Sequence, residues 1–114
     1  MIRPTFCTID LAAAARNYRA IRASLKEGTK MMAVVKADAY GHGSVPISRV
    51  ALANGADCLA VAIPEEGGVL REAGITAPIV VIGGIVPEDA PLVVQHGLTQ
   101  TVYTKELVQA LEAA

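Results

Sequence analysis

The sequence has few aromatic residues, no long apolar run and almost no excess charge. Aromatic residues make up 4% of its 114 residues, and tryptophan is absent. No stretch approaches the roughly 18 apolar residues that span a bilayer, so we expect no membrane span. The formal net charge of -1 gives no electrostatic reason to expect nucleic acid or an acidic membrane surface as a partner.

Cysteines are also scarce, and they form no pattern. Cys7 and Cys58 are far apart in the sequence and match neither a disulfide framework nor a metal-ligand spacing. No apolar core of signal-peptide length precedes Asp10. We therefore expect a cytoplasmic protein with two buried, reduced thiols and no metal site.

Aliphatic residues are abundant, and they occur as alternating strands and helices. Hydrophobic residues make up 53% of the chain, and apolar strands are predicted to start near residues 31, 58, 79 and 99. Strict alternation predicts a parallel sheet with right-handed crossovers. Short helices with tight links favour a (β/α)₈ barrel over a doubly wound sheet. Because a whole barrel needs about 250 residues, we expect roughly its first half.

Two elements are predicted before this series. Pro4 to Ile9 are expected to form a short strand, and Asp10 is expected to cap a helix that ends at Gly28. The predicted organisation is thus an N-terminal strand in residues 1–10 and a partial barrel in residues 11–114.

The candidate chemistry lies where the first apolar strand ends. Met31 to Val35 lead without a charge to Lys36. Such a run predicts a strand that is covered on both faces, and ligands bind at the carboxyl ends of parallel strands. Removal from water makes an amine more nucleophilic, so Lys36 is a candidate Schiff-base lysine. A lysine that ends a strand by reaching solvent explains the same pattern.

The residues around Lys36 offer further contacts. Strand alternation places Val34 on the same side as Lys36. Tyr40 could donate a hydrogen bond to a phosphate or carboxylate, or it could pack on a helix. The segment 41–43 leads to Ser44, the expected N-cap of the next helix, and free N–H groups there could hold an anion.

The later strand ends carry weaker candidates. Glu65 and Glu66 follow the second strand, where an acid could act as a base, but first-turn residues favoured by the helix dipole explain them more simply. Gly83 and Gly84 close the third strand and could leave room for a ligand. Nucleotide-binding glycine motifs are absent from the sequence.

The string AVVKADAYGHG, from Ala33 to Gly43, closely resembles the pyridoxal-phosphate attachment motif of alanine racemases. The similarity continues in the strings LANGAD, LAVAIPEEG, LREAGITAPIVVIGG and LTQTVY. Enzymes of that family have an N-terminal (β/α)₈ barrel that carries the cofactor and a C-terminal β domain. They are homodimers that interconvert L- and D-alanine for peptidoglycan synthesis. The resemblance implies the same activity, cofactor and partners here.

The resemblance also implies roles for single residues. Lys36 would form the internal aldimine with pyridoxal 5′-phosphate and act as one of two acid–base groups. Tyr40 would hydrogen-bond the cofactor phosphate, and Val34 and Ile82 would line the cofactor pocket. The family's second acid–base group is a tyrosine in the C-terminal domain of the other subunit. The N-terminal strand would join a C-terminal β domain that is absent from these 114 residues. We therefore expect this chain to be inactive alone.

Three alternatives share the cofactor. They are an amino-acid decarboxylase built on a similar barrel, a serine racemase and a non-catalytic pyridoxal-phosphate-binding barrel protein. The length and the residues of the motif argue against the decarboxylase. The other two remain open on the sequence.

Overall fold

The structure is a computed structural model that describes residues 2–114. Within this range a sheet of four strands has the order β1-β2-β3-β4, and every neighbouring pair is parallel. This order follows the sequence, as in a barrel wall, whereas a doubly wound sheet reverses direction at a switch point. The predicted parallel α/β fold is confirmed. The strands are β1 (Met32–Val34), β2 (Cys58–Val61), β3 (Ile79–Val81) and β4 (Thr99–Gln100).

Helices connect the strands, and their caps mostly follow the sequence. The side chains of Asp10 and Thr104 accept hydrogen bonds from Ala13 N–H (2.9 Å) and Leu107 N–H (3.2 Å), and the first of these confirms the expected cap at Asp10. None of the helices in residues 2–114 is long and apolar enough to cross a membrane. The helices are α1 (Leu11–Ser24), α2 (Lys36–Tyr40), α3 (Ser44–Ala53), α4 (Pro64–Glu72), a 3₁₀ turn (Pro87–Asp89), α5 (Ala90–Gln95) and α6 (Lys105–Ala113).

The core lies between one face of the sheet and the helices. Six strand residues on this face are at most 4% exposed: Ala33, Val35, Leu59, Val61, Ile79 and Val81. On the opposite face of β1, Met32 is 45% exposed and Val34 is 39% exposed. The prediction that β1 is covered on both faces is therefore wrong for this chain. The helices cover one face, and the other is the face that would line the inside of a closed barrel.

Two helix boundaries differ from prediction. α1 ends at Ser24 rather than at Gly28, because Leu25 is already extended (φ -84°, ψ 146°). The N-cap of α3 is Gly43 rather than Ser44. Ser44 is the first helical residue because its N–H donates to the Asp38 carboxylate at 2.8 Å, so the capping acceptor comes from another part of the loop.

The predicted N-terminal strand does not form within residues 2–10, and Met1 lies outside the described residues. A strand needs a partner for its backbone hydrogen bonds, and no strand in the described part of the chain supplies one here. The expectation of two buried thiols is also wrong: Cys7 in this segment is exposed, and Cys58 is half-buried.

Arg71 joins the end of α4 to the two loops that lead into β3 and β4. Its guanidinium donates hydrogen bonds of 2.7 to 3.0 Å to four carbonyl oxygens, those of Ile75, Ala77, His96 and Gly97. The planar fork of donors suits such a set of acceptors. Arg71 therefore fixes both loops, and the fixed loops help to hold β3 and β4 in register.

Candidate functional site

Lys36 follows β1 at the carboxyl edge of the sheet. Burial alternates along this segment: Met31, Ala33 and Val35 are buried, whereas Val34 is exposed and Lys36 is half-buried. Successive side chains of a strand point to opposite faces, so Val34 lies on the open face of β1. The chain leaves the extended conformation at Val35 (φ -122°, ψ 21°), and the placement of Lys36 beside Val34 on that face stays a prediction.

Ile82 follows β3 at the same edge of the sheet. The register pairs Val34 with Ala60 and Ala60 with Val80, so these residues lie in one row across β1, β2 and β3. Lys36 is two residues beyond Val34, and Ile82 is two residues beyond Val80. Lys36 and Ile82 therefore both follow the carboxyl ends of strands that have β2 between them.

The helical turn α2 that carries Lys36 into the loop is left-handed. Ala37, Asp38 and Ala39 have φ of 51° to 55° and ψ of 44° to 49°, and Tyr40 has φ 56°. Residues with a Cβ atom avoid this conformation, at a cost of about 1–2 kcal/mol each. The sequence does not predict this left-handed turn, because nothing in the residue types Ala-Asp-Ala indicates positive φ. Such strain is found where the surrounding structure holds it in place, often at functional sites.

Hydrogen bonds within the loop hold part of this turn. Ala39 N–H donates to the carbonyl oxygen of Val35 at 2.9 Å. The His42 ring donates from Nδ1 to the Ala39 carbonyl oxygen, also at 2.9 Å. Asp38 contributes twice, since its carboxylate accepts from Ser44 N–H at 2.8 Å and its carbonyl oxygen accepts from Gly43 N–H at 2.9 Å. The loop motif therefore stabilises backbone geometry.

Glu66, in the first turn of α4, links the ends of β1 and β2. Its Oε2 accepts from Ala37 N–H at 2.5 Å, and its Oε1 accepts from the N–H groups of Ala62 (3.0 Å) and Ile63 (3.1 Å). The sequence position, three residues after Ile63 at a helix start, is typical of the carboxylate in a capping box. The contact with Ala37 spans 29 residues and could not be predicted from that local signal.

Tyr40 lies beside a cavity of about 630 Å³. The cavity lies between α1, the end of β1 and the loop, and its wall includes Tyr18, Val34, Tyr40 and His42. Tyr40 is 61% exposed. Burial raises the pKa of the Tyr18 phenol above its usual value of 10. The structure thus brings Val34 and Tyr40 to one cavity, and neither Lys36 nor Ile82 lines it.

The two glycines after β3 differ in their surroundings. A Cβ atom on Gly83 would lie 2.3 Å from the carbonyl oxygen of Ala62, whereas one on Gly84, which is exposed, would make an ordinary 3.7 Å contact with the Tyr103 ring. The Tyr103 hydroxyl donates to the Ile82 carbonyl oxygen at 3.3 Å. Backbone therefore fills the space beside Gly83, and room for a ligand at Gly84 stays a prediction. Among residues 2–114 no three His, Cys, Asp or Glu side chains cluster as a metal site would require.

The candidate site consists of the Lys36 amine, two partly exposed apolar side chains and the Tyr40 phenol. Val34 and Ile82, 39% and 36% exposed, offer surface against which a flat aromatic ring could pack. Lys36 offers a primary amine that can react with an aldehyde, and the Tyr40 hydroxyl can donate to an anionic group. This set of residues fits an aromatic aldehyde that carries a phosphate.

Comparison with known proteins gives a consistent family. Residues 9–114 match the family described as alanine racemase, N-terminal domain. The alanine racemase of Desulfovibrio desulfuricans is 46% identical over 112 residues, which are 98% of this chain and 30% of that protein. That of Methanococcus maripaludis is 45% identical over 109 residues, which are 96% of this chain and 29% of that protein.

Solved structures agree with this match. The alanine racemase of Bacillus anthracis with bound L-Ala-P has a TM-score of 0.91 and 40% identity, over 97% of this chain and 29% of that chain. That of Corynebacterium glutamicum has a TM-score of 0.83 and 34% identity, over 93% of this chain and 31% of that chain. This chain spans about 30% of the length of these relatives. Its sheet and helices match the N-terminal barrel portion of those structures, so the predicted fold is confirmed.

Proposed function

This chain belongs to the alanine racemase family, and from that premise we propose that it provides the lysine-bearing part of an enzyme that interconverts L- and D-alanine. The single observation that carries the proposal is the position of Lys36. It directly follows β1 at the carboxyl edge of a parallel sheet, the edge at which ligands bind in such sheets.

The proposed cofactor is pyridoxal 5′-phosphate, which supplies an electron sink for the carbanion formed at the substrate α-carbon. Lys36 Nζ would bind this group covalently and, once displaced by the substrate amine, would carry the α-proton on one face of the substrate. Tyr40 would donate its hydroxyl proton in a hydrogen bond to the phosphate. Val34 and Ile82 would pack against the ring and keep water from that side.

Proton exchange on both faces of a carbon needs two groups on opposite sides. Lys36 is the one proposed here, and the family resemblance assigns the other to a tyrosine of a partner subunit. We therefore propose that the active protein is a cytoplasmic homodimer that makes D-alanine for peptidoglycan, and that these 114 residues alone do not racemise alanine. Residues 1–10 would complete a separate β domain, and residues 11–114 would form the barrel portion that binds the cofactor.

Reductive labelling tests the role of Lys36. The chain is incubated with pyridoxal 5′-phosphate, reduced with borohydride, digested and mapped by mass spectrometry. We expect the phosphopyridoxyl group on Lys36, and we expect Lys36→Ala to lose it. The matched control is Lys30→Ala, because Lys30 is an exposed lysine just before β1. Labelling spread evenly over all lysines, or unchanged in Lys36→Ala, would overturn the proposal.

A chimera tests the activity itself. Replacing the matching N-terminal segment of the Bacillus anthracis racemase by this chain is feasible because the two structures superpose with a TM-score of 0.91. We expect the chimera to supply D-alanine to an auxotrophic bacterium, and we expect the chimera with Lys36→Ala not to do so. A folded, dimeric chimera that binds the cofactor but shows no racemisation would instead favour the non-catalytic alternative.

A further inference from the structure

We propose that Glu66 is a positioning residue that sets the direction of Lys36 by fixing the peptide bond that follows it. The inference rests on the proposed role of Lys36. Glu66 belongs to α4, a different element from the one that carries the lysine, and its carboxylate accepts hydrogen bonds from three backbone N–H groups.

The contact with Ala37 acts directly on the lysine. The N–H of Ala37 and the carbonyl of Lys36 belong to one rigid, planar peptide unit. Holding that N–H against Glu66 Oε2 at 2.5 Å fixes the rotation about the Lys36 Cα–C bond. On the other side, the Val35 carbonyl, which shares a peptide unit with Lys36 N–H, accepts a hydrogen bond from Ala39 N–H at 2.9 Å. The lysine Cα therefore lies between two peptide units that are each held by a hydrogen bond.

The left-handed turn makes this anchor necessary. The first hydrogen bond within the turn is donated by Ala39 to Val35, so the Ala37 N–H comes too early in the turn to find a backbone acceptor there. Ala37 itself has φ 51°, which an alanine leaves readily unless it is held. Without the carboxylate, the peptide after Lys36 would lose its partner and the lysine would sample other directions.

A carboxylate is the group that this position requires. All three contacts are made by N–H donors, so both oxygen atoms of the side chain must accept. Glutamine offers one acceptor oxygen and an NH₂ group, which is itself a donor and would face an N–H. The start of α4 also favours a negative charge.

Helix capping alone does not account for all the contacts of Glu66. Its Oε1 binds Ala62 and Ile63, next to the start of α4, as in a capping box. Its Oε2 binds Ala37, in another part of the sequence. The two roles therefore separate by atom, and amide exchange at Ala37 and Ile63 reports on them independently.

The first test uses amide hydrogen exchange in the cofactor-free chain. We compare Glu66→Gln with Glu65→Gln, which removes the same charge from an exposed residue of the same turn. We expect Glu66→Gln to speed exchange at Ala37 by about tenfold or more, since about 1.4 kcal/mol of lost protection corresponds to a factor of ten. We expect Glu65→Gln to leave exchange at Ala37 unchanged. Equal exchange at Ala37 in the two variants would overturn the proposal.

Glu66→Asp keeps the test decisive if the glutamine variant unfolds. Aspartate keeps the charge at the start of α4 but is one methylene shorter, so it can cap the helix and cannot also reach Ala37. We expect faster exchange at Ala37 with Ile63 still protected. Loss of protection at both amides together would mean that Glu66 acts only as a structural cap, which contradicts the proposal.

The second test measures the lysine. In the chimera with the Bacillus anthracis racemase, we expect Glu66→Gln to slow phosphopyridoxyl labelling at Lys36 and to lower kcat by about 10- to 100-fold with little change in KM, because a small misplacement of a reacting group has effects of this size. Unchanged labelling and kcat would overturn the positioning role. Labelling of a different lysine in the unmodified chimera would instead overturn the proposed function, while the exchange result at Ala37 would stand.

Discussion

The backbone of Gly83 lies in direct contact with the carbonyl oxygen of Ala62, where β3 ends. Gly83 N–H donates to that oxygen at 3.2 Å, and a Cβ atom on Gly83 would lie 2.3 Å from it. This contact fastens the end of β3 to the end of β2. It thereby helps to fix Ile82, one residue earlier, at the carboxyl edge of the sheet.

We predict that Gly83→Ala destabilises the chain by about 2 kcal/mol or more, because the added methyl group meets backbone that cannot rotate away. Urea unfolding followed by circular dichroism measures the change. Gly84→Ala is the control, since its Cβ atom would make an ordinary 3.7 Å contact with the Tyr103 ring. Equal stabilities of the two variants would show that β3 can shift away from β2.

We predict that Arg71→Lys lowers the free energy of unfolding by about 2–3 kcal/mol. Lysine keeps the charge but cannot bond four carbonyl oxygens at once, so acceptors in three partly buried contacts and one exposed contact lose partners. The matched control is Arg49→Lys, because Arg49 is exposed and donates one hydrogen bond, to the Ala73 carbonyl oxygen. We expect the control to change stability by less than about 0.5 kcal/mol. A similar loss in both variants would contradict this role of Arg71.

The sequence predicted the order of strands and helices well because that order depends on apolar periodicity. Asp10 and Thr104 were predictable as caps because capping is local. The position of Lys36 at a strand end follows from the same local pattern. Alternation also predicted the exposed side of Val34, because it operates within the strand.

The parts that could not be predicted depend on contacts between distant segments. Ser44 has the right residue type for an N-cap, but Asp38 provides the acceptor and shifts the helix start. Glu66 has the local signature of a capping residue, and only the fold brings Ala37 to its second oxygen. The left-handed turn likewise depends on several such contacts together, so no single letter of the sequence encodes it.

We predict that Asp38→Ala destabilises the chain by about 1–2 kcal/mol, whereas Asp38→Asn is close to neutral. Alanine removes the acceptor for Ser44 N–H, a loss comparable to that of a helix cap, and it tolerates φ 55° less well. Asparagine keeps an acceptor oxygen and accepts left-handed backbone. Thermal unfolding of the two variants measures the difference. Equal losses would show that the charge of Asp38, rather than its hydrogen bond, supports the turn.

We predict that the stability of the chain has a component that depends on Tyr18 and is lost at high pH. Burial raises the pKa of this phenol above 10 in the folded chain. An unfolded chain releases the proton near pH 10, so above that pH unfolding is accompanied by proton release and becomes more favourable. The stabilising contribution is therefore complete below pH 10 and is lost as the pH rises through the folded-state pKa.

Tyr18→Phe isolates this component, because it keeps the ring and removes the titrating group. Tyr40 and Tyr103 remain in both chains, so their ionisation cancels in the comparison. We expect the free energy of unfolding of the unmodified chain to fall more steeply above pH 10 than that of the variant, as measured by urea unfolding at a series of pH values. The difference in tyrosinate absorbance between the two folded chains should show Tyr18 titrating above the usual value. Parallel pH dependence in the two chains would mean that the phenol is solvated in the folded state, and that the cavity beside α1 admits water up to Tyr18.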